Sequence, residues 1–295
     1  MTTDAHNNWG RWGDEDEAGA LNLVDAQATL RATALVHSGR VLSLAQPLGP
    51  ATPAPPHRSR PARFMNRDAG DYALGARSPG GFRFAEDTVQ LAVHTGTHVD
   101  ALAHAWTGAE LFNGHPSAST RTTSGAKRCG ADKLRPVLTR GVLVDLVAAR
   151  GAALAASEPV TVEDLTSALG GSDVELAAGD AVLVRTGWWE THRSDPAYFD
   201  LEPGIDAAAA QWLADRDVAL VGADNYAVEQ QTREGGFPVH LLLLHQYGVP
   251  LVENLELVAL ADELSALGRS TFLFVFAPLP LVGSTGSPVN PIAVL

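Results

Sequence analysis

The chain has 295 residues, 45% hydrophobic and 19% charged, and its 34 acidic against 21 basic side chains give a formal net charge of −13. That length and balance suit one soluble domain with a sizeable core. With no block of lysine or arginine to hold phosphates or anionic headgroups, nucleic acid and membrane are excluded as partners. Cys129 is the only cysteine, which excludes an intrachain disulfide and a cysteine-based zinc site.

Residues Met1–Trp12 lack the basic-then-apolar order of a signal peptide, and no apolar run is long enough to span a bilayer, so cytoplasm is the expected location. A single domain over residues 1–295 is expected, with 1–40 as an N-terminal extension. Trp9 and Trp12, set among polar residues and followed by Asp14-Glu15-Asp16-Glu17, are expected to dock onto the body of the protein or onto a partner subunit, or to cover a site. Val41–Leu44 reads as a short strand. The prolines from Pro47 to Pro56 then forbid regular structure, and residues 47–85 read as a long excursion, either a folded-back lid carrying Phe64 and Met65 or a passive surface loop.

Apolar residues at 89, 91 and 93 predict a strand over Asp87–His94. Further strands are predicted at Val142–Leu146, Ala181–Arg185, Ala219–Val221 and Thr271–Phe276, all rich in side chains that suit a pleated, buried surface. Helices are predicted at Asp164–Leu169, behind a capping box at Thr161–Asp164 and closed by Gly170-Gly171, and at Asp206–Ala214. The alanine-rich stretch 148–156 reads as helix and loop. Near the end, Gly283–Ser287 lacks a phosphate-loop lysine and a following helix, and reads as a tight turn before a last strand. Strands alternating with helices argue α/β.

Three of the chain's 10 histidines fall within the eleven residues from His94 to His104, together with Asp100. On an extended chain positions 94, 98 and 100 share parity, so His94, His98 and Asp100 can converge on one divalent ion, zinc or manganese. Gly96 permits the bend between them. Two imidazoles and a carboxylate leave coordination positions open, as a catalytic site requires. A water at such an ion is deprotonated near neutral pH.

The segment His94-Thr95-Gly96-Thr97-His98-Val99-Asp100-Ala101-Leu102-Ala103-His104 resembles the His-x-Gly-Thr-His-x-Asp-x-x-x-His signature of the cyclase family, which includes kynurenine formamidases and isatin hydrolases. Trp9–Gly13, Ala20–Leu23, Phe64–Asp68, Gly179–Trp188 and Thr285–Pro288 are similar to segments of its longer members. The resemblance implies a mixed sheet curved into a partial barrel with surrounding helices, of swivelling β/β/α type. It implies His94, His98 and Asp100 as metal ligands and His104 as the proton-transferring residue, with His240 and Glu253 completing the site. In two-metal members Asp100, His240 and Glu253 would hold a second ion. It also implies a homodimer or homotetramer.

A helix from His240 ended by Gly248, then a strand over Val249–Val252, would deliver Glu253. His245, five residues after His240, should face elsewhere. Many family members carry proline where this chain has Leu102, which loosens the loop that holds His104. Asp224 and Asn225, just past a predicted strand, read as substrate-lining residues or as a turn. Trp106, Phe112 and Asn113 either border the pocket or pack in the core.

The expected reaction is hydrolysis of the C–N bond of an amide or lactam, a small molecule of the N-formylkynurenine or isatin kind. A cyclase or lyase that stabilises an enolate is one rival reading, and a non-catalytic binding protein of the same fold is the other.

Overall fold

The computed structural model describes residues 7–170 and 174–295. Nine strands form one mixed sheet curled into a partial barrel: β1 (Val41–Ser43), β2 (His98–Asp100), β3 (Val137–Asp145), β4 (Ala181–Arg185), β5 (Leu220–Ala223), β6 (Leu251–Glu253), β7 (Thr271–Phe276), β8 (Gly286–Pro288) and β9 (Ile292–Val294). Their order across the sheet is β1-β9-β7-β3-β4-β5-β6-β2-β8. The pairs from β3 to β6 are parallel, and the flanking pairs are antiparallel.

The central strands are apolar at successive positions because both faces of the sheet are covered. Val142, Val144, Val182, Val184 and Val221 face one core, against Leu165 and Leu169 of the helix Val162–Gly170, Ala209 and Leu213 of Ala207–Ala214, and Leu243 and Leu244 of Leu241–Tyr247. Leu143, Ala181, Leu183, Leu220 and Val252 face the other, against Leu260, Ala261 and Leu264 of the helix Val258–Ala266 and the phenylalanines of β7. Each fully buried valine or leucine contributes about 1.5–3 kcal/mol.

Caps follow the sequence closely. Thr161 Oγ1 accepts from Asp164 N while Asp164 Oδ2 accepts from Thr161 N, the reciprocal box expected there, and Asp206 caps its helix by accepting from Ala209 N. Gly171 of the expected helix stop and Met1–His6 of the N-terminal reading lie outside the described residues. The predicted strand at Val142 begins earlier, at Val137, and Leu146 opens the short helix Leu146–Arg150.

Three expectations need correction. The strand placed at Asp87–His94 stops at Gln90 and does not enter the main sheet. Glu86–Gln90 pairs instead with Ala62–Arg67 in a two-stranded arm, and its alternation is unused because neither face of Glu86–Gln90 is covered. The 47–85 excursion, read as a folded-back lid or a passive surface loop, also holds regular structure. It contains one strand of the arm and a short helix, Ala69–Ala73, capped by Asp68. Finally, Gly286–Ser287 belongs to a short edge strand paired with β2 rather than to a turn alone.

The N-terminal residues dock on the chain's own body. Trp9 Nε1 donates to the His245 carbonyl at 2.8 Å, and Asn113 Nδ2 donates to the carbonyls of Gly13, Asp14 and Asp16. Trp12 packs, partly buried, against the first core.

Candidate metal centre and its cavity

Strand β2 carries the centre. His98 and Asp100 project from one face and Val99 from the other, into the second core. Antiparallel pairing sets Glu253 of β6 directly opposite His98, so their side chains share that face. Thr97 locks the junction: its hydroxyl accepts from Gln46 N at 2.8 Å and donates to the Asn254 carbonyl at 2.6 Å.

His94 reaches the same place by a bend, not by strand parity. Gly96 sits at φ 63°, and a Cβ there would meet Leu48 at 2.7 Å, so the turn requires glycine. His94 Nδ1 then donates to Asp100 Oδ1 at 2.6 Å, and Thr285 Oγ1 lies 3.0 Å from Nε2. Gly286 makes room for the ring, since a Cβ there would lie 2.5 Å from His94 Cε1.

His240 arrives on a helical segment, Pro238–His240, that continues as a π-helical turn over Leu241–Tyr247 and ends at Gly248, φ 65°. Strand β6 follows and delivers Glu253. His245 points away from the centre, and its Nδ1 accepts from Thr107 N at 3.3 Å.

Donor atoms fall into two clusters that share Asp100: His94, Asp100 and His104 in one, His98, Asp100 and Glu253 in the other. His98 Nε2 lies 3.2 Å from Glu253 Oε2 and 3.5 Å from Asp100 Oδ1. His240 Nε2 lies 3.5 Å from Asp100 Oδ2 and 3.4 Å from Glu253 Oε1. Tetrahedral ligands at about 2.0–2.1 Å from a zinc ion stand roughly 3.3 Å apart, so this second cluster already has ligand spacing. His94 and Asp100, at hydrogen-bond distance, would have to separate slightly to share an ion.

Two buried atoms support the fit. His98 Nε2 and Asp100 Oδ2 have no aligned hydrogen bond, a costly state for polar atoms away from water. Moreover, His98 Nδ1 donates to the Gly96 carbonyl at 2.8 Å, which fixes the tautomer and leaves the Nε2 lone pair facing the cluster.

Burial alone would raise the Asp100 carboxyl, but the imidazoles of His104 and His94 and contacts from His240 outweigh it and hold its pKa well below the usual range. His104 is pushed down to about 4, first by burial, against the opposing pull of Asp100. It is therefore neutral near pH 7. Its Nε2 is 3.7 Å from Asp100 Oδ2, and its ring borders a cavity of about 560 Å³.

Trp106, Tyr226 and Phe237 form aromatic walls of that cavity, and Arg58 and His57 border it too. Other expected site residues lie elsewhere. Phe64 and Met65 are exposed on the arm and do not line the cavity. Asn113 holds the N-terminal segment, and Phe112 is core. Asp224 is buried and accepts from Thr186 N, Thr186 Oγ1 and Gly187 N, while Asn225 ties Pro203 to Val228, so both brace the loop behind the cavity.

Glu229 was not legible in the sequence. It is fully buried; its Oε1 accepts from His240 Nδ1 and Oε2 from Val239 N. Val228, a β-branched residue at φ 62°, strains the chain to present it, at a cost of about 1–3 kcal/mol. The only available signal was an acid in the loop after β5, where α/β sheets place their sites.

The family model described as "Putative cyclase" matches residues 42–230. An isatin hydrolase of Roseibium aggregatum is 25% identical over 225 residues, 72% of this chain and 75% of its own. A crystal structure described as a novel cyclase is 36% identical, covers 98% of this chain and 99% of its own, and superposes with a TM-score of 0.92. An isatin hydrolase bound to the product analogue thioisatinate shares the fold, at 21% identity over 92% of this chain and 99% of its own, with a TM-score of 0.64.

Proposed function

The chain belongs to the cyclase family, and on that premise we propose that it is a metal-dependent hydrolase cleaving the C–N bond of a small amide or lactam. The observation that carries this reading is the convergence of His98, Asp100, Glu253 and His240 at 3.2–3.5 Å, with buried lone pairs left unsatisfied, beside an aromatic cavity. The Roseibium relative, a hydrolase of the lactam isatin by its name, supports the same bond type.

In our reading His94, His98 and Asp100 are the ligands of the first divalent ion, which requires His94 and His98, held in separate clusters that share Asp100, to close on one point; Asp100, His240 and Glu253 can hold a second. Zinc suits this set and manganese is accepted by the same ligands. When bound, such an ion supplies Lewis acidity, polarising a carbonyl and bringing the pKa of water toward neutrality. His104 faces the cavity with a neutral imidazole, so it takes a proton from the attacking water and returns it to the leaving nitrogen as the C–N bond breaks. The water oxygen ends in the new carboxylate. Glu229, through Nδ1 of His240, holds that ring's Nε2 toward Asp100 and Glu253.

The test is turnover of an amide or lactam in ¹⁸O-labelled water. One labelled oxygen in the product supports hydrolysis. Turnover without label would favour the second reading, a cyclase or lyase that stabilises an enolate, to which the relative described as a cyclase lends weight.

We also propose a homodimer or homotetramer working in the cytoplasm. Phe64, Met65, Phe82, Phe84 and Val89 are exposed on or beside the two-stranded arm, and an uncovered pair of strands is marginally stable by itself. Sedimentation giving only a monomer near 31.0 kDa would contradict the assembly. No helix among the described residues is long and apolar enough to cross a membrane.

A further inference from the structure

Arg58 is anchored but not neutralised. Its Nη1 donates to the His94 carbonyl, within the segment that carries the metal donors, and its guanidinium carbon lies 5.3 Å from the centre of the Tyr226 ring. Among the described residues no carboxylate comes within 4 Å of its nitrogens. Arg11, Arg128, Arg140, Arg150 and Arg185 each have such a partner. Arg58 is half-buried and lines the cavity together with His104 and Glu253, as it also lines a neighbouring one beside Arg60 and Arg193, so a ligand in the first cavity lies next to this side chain.

Three features of that space belong together. The cavity, about 560 Å³, has the size of an ordinary small-molecule site. Its walls, Trp106, Tyr226 and Phe237, are flat, and Trp106 and Phe237 remain 38% and 48% exposed, apolar surface that a ring could cover. Its one guanidinium sits in a chain of net charge −13, a background that repels anions unless a local cation receives them. The planar fork of an arginine matches a carboxylate and holds it in one orientation.

We propose that Arg58 is the anchor for a carboxylate on the substrate, and that the preferred substrate is an aryl amide or lactam carrying that carboxylate on its flat ring. This rests on the hydrolase reading for the bond cleaved, but the anion site stands on the cavity alone. The aromatic walls orient the ring, Arg58 holds the charged edge at one end, and the scissile carbonyl is thereby directed to the cluster of His98, Asp100 and Glu253.

The experiment is calorimetric titration of the metal-loaded protein with 3-acetamidobenzoate and with neutral acetanilide, alongside turnover of both. Wild type should bind the anion at least tenfold more tightly. Arg58→Met should weaken 3-acetamidobenzoate by about 10–100-fold, the range for a lost charged hydrogen bond, and leave acetanilide unchanged. Arg58→Lys, which keeps the charge but loses the fork, should fall between. Undiminished affinity for the anion in Arg58→Met would place its carboxylate at the metal centre and overturn the proposal, as would equal weakening of both ligands. If Arg58→Met does not fold, the wild-type pair decides: equal affinity for the two ligands overturns it. Binding that depends on Arg58 without cleavage of either amide would sink the hydrolase reading and leave the carboxylate site intact.

Discussion

Replacing Glu229 by alanine should destabilise the fold and release His240 together. The substitution strands three donors in a buried setting: His240 Nδ1, Val239 N at 3.0 Å and His240 N at 3.2 Å from the carboxylate. An unsatisfied buried donor costs about 1–3 kcal/mol, and water entering the vacated volume recovers part of it. The expected loss is therefore on the order of 3–5 kcal/mol, or roughly 6–10 °C in melting temperature for a chain of this size. Glu229→Gln keeps one acceptor and turns an amide against a backbone donor, so about half that loss is expected. Urea unfolding reads the first effect. Long-range ¹H–¹⁵N spectra of the histidine rings in the metal-loaded protein read the second: the Nδ1 proton of His240 should be protected by its hydrogen bond in wild type, and shifted or lost to exchange in the alanine variant. A Glu229→Ala protein within about 1 kcal/mol of wild type, with His240 unchanged, would refute the role of the carboxylate.

Three further outcomes are expected. His98→Ala should lose metal and activity together, whereas His104→Ala should retain metal and lose about 10²–10⁴ in kcat; equal loss of metal from both would make His104 a ligand, as its cluster with His94 and Asp100 allows. Gly286→Ala places a methyl group 2.5 Å from His94 Cε1, so its metal should dissociate at least about tenfold more readily by competition with a chelator, and unchanged affinity would show that His94 is not a tight ligand. Burial pushes the Asp224 carboxyl up to about 6 against three accepted hydrogen bonds. The folded state then holds this proton more tightly than the unfolded chain, a stabilisation present below pH 3.8 and lost as pH rises through about 6. Between pH 4 and 7, wild type should lose about 2 kcal/mol relative to Asp224→Asn, and parallel stability curves would contradict the shift.

The resemblance of residues 94–104 pointed to the family, and the alternating strand and helix patterns pointed to the α/β layers, because apolar periodicity is local and both faces of β3–β6 had to be covered. The parity argument for His98 and Asp100 describes a real strand. It fails as a description of His94, which is brought in by the bend at Gly96. Periodicity also misplaced residues 87–94: Val89 alternates as a strand should, yet it is 57% exposed on an arm with no layer above it. Arg58, Tyr226 and Glu229 were invisible for a different reason. They come from loops whose course depends on long-range contacts, such as the approach of Gly204 to Val228 and the hydrogen bond from Arg58 to His94, and no short spacing encodes such contacts.

The central claim is that a divalent ion at the Asp100 centre performs the chemistry, and elemental analysis on the preparation used for turnover tests it most directly. Protein purified without added metal should carry at least one equivalent of zinc or manganese per chain. Activity should fall with the ion on chelation and return when the ion is restored. Full turnover of an amide or lactam by metal-free protein would contradict the claim.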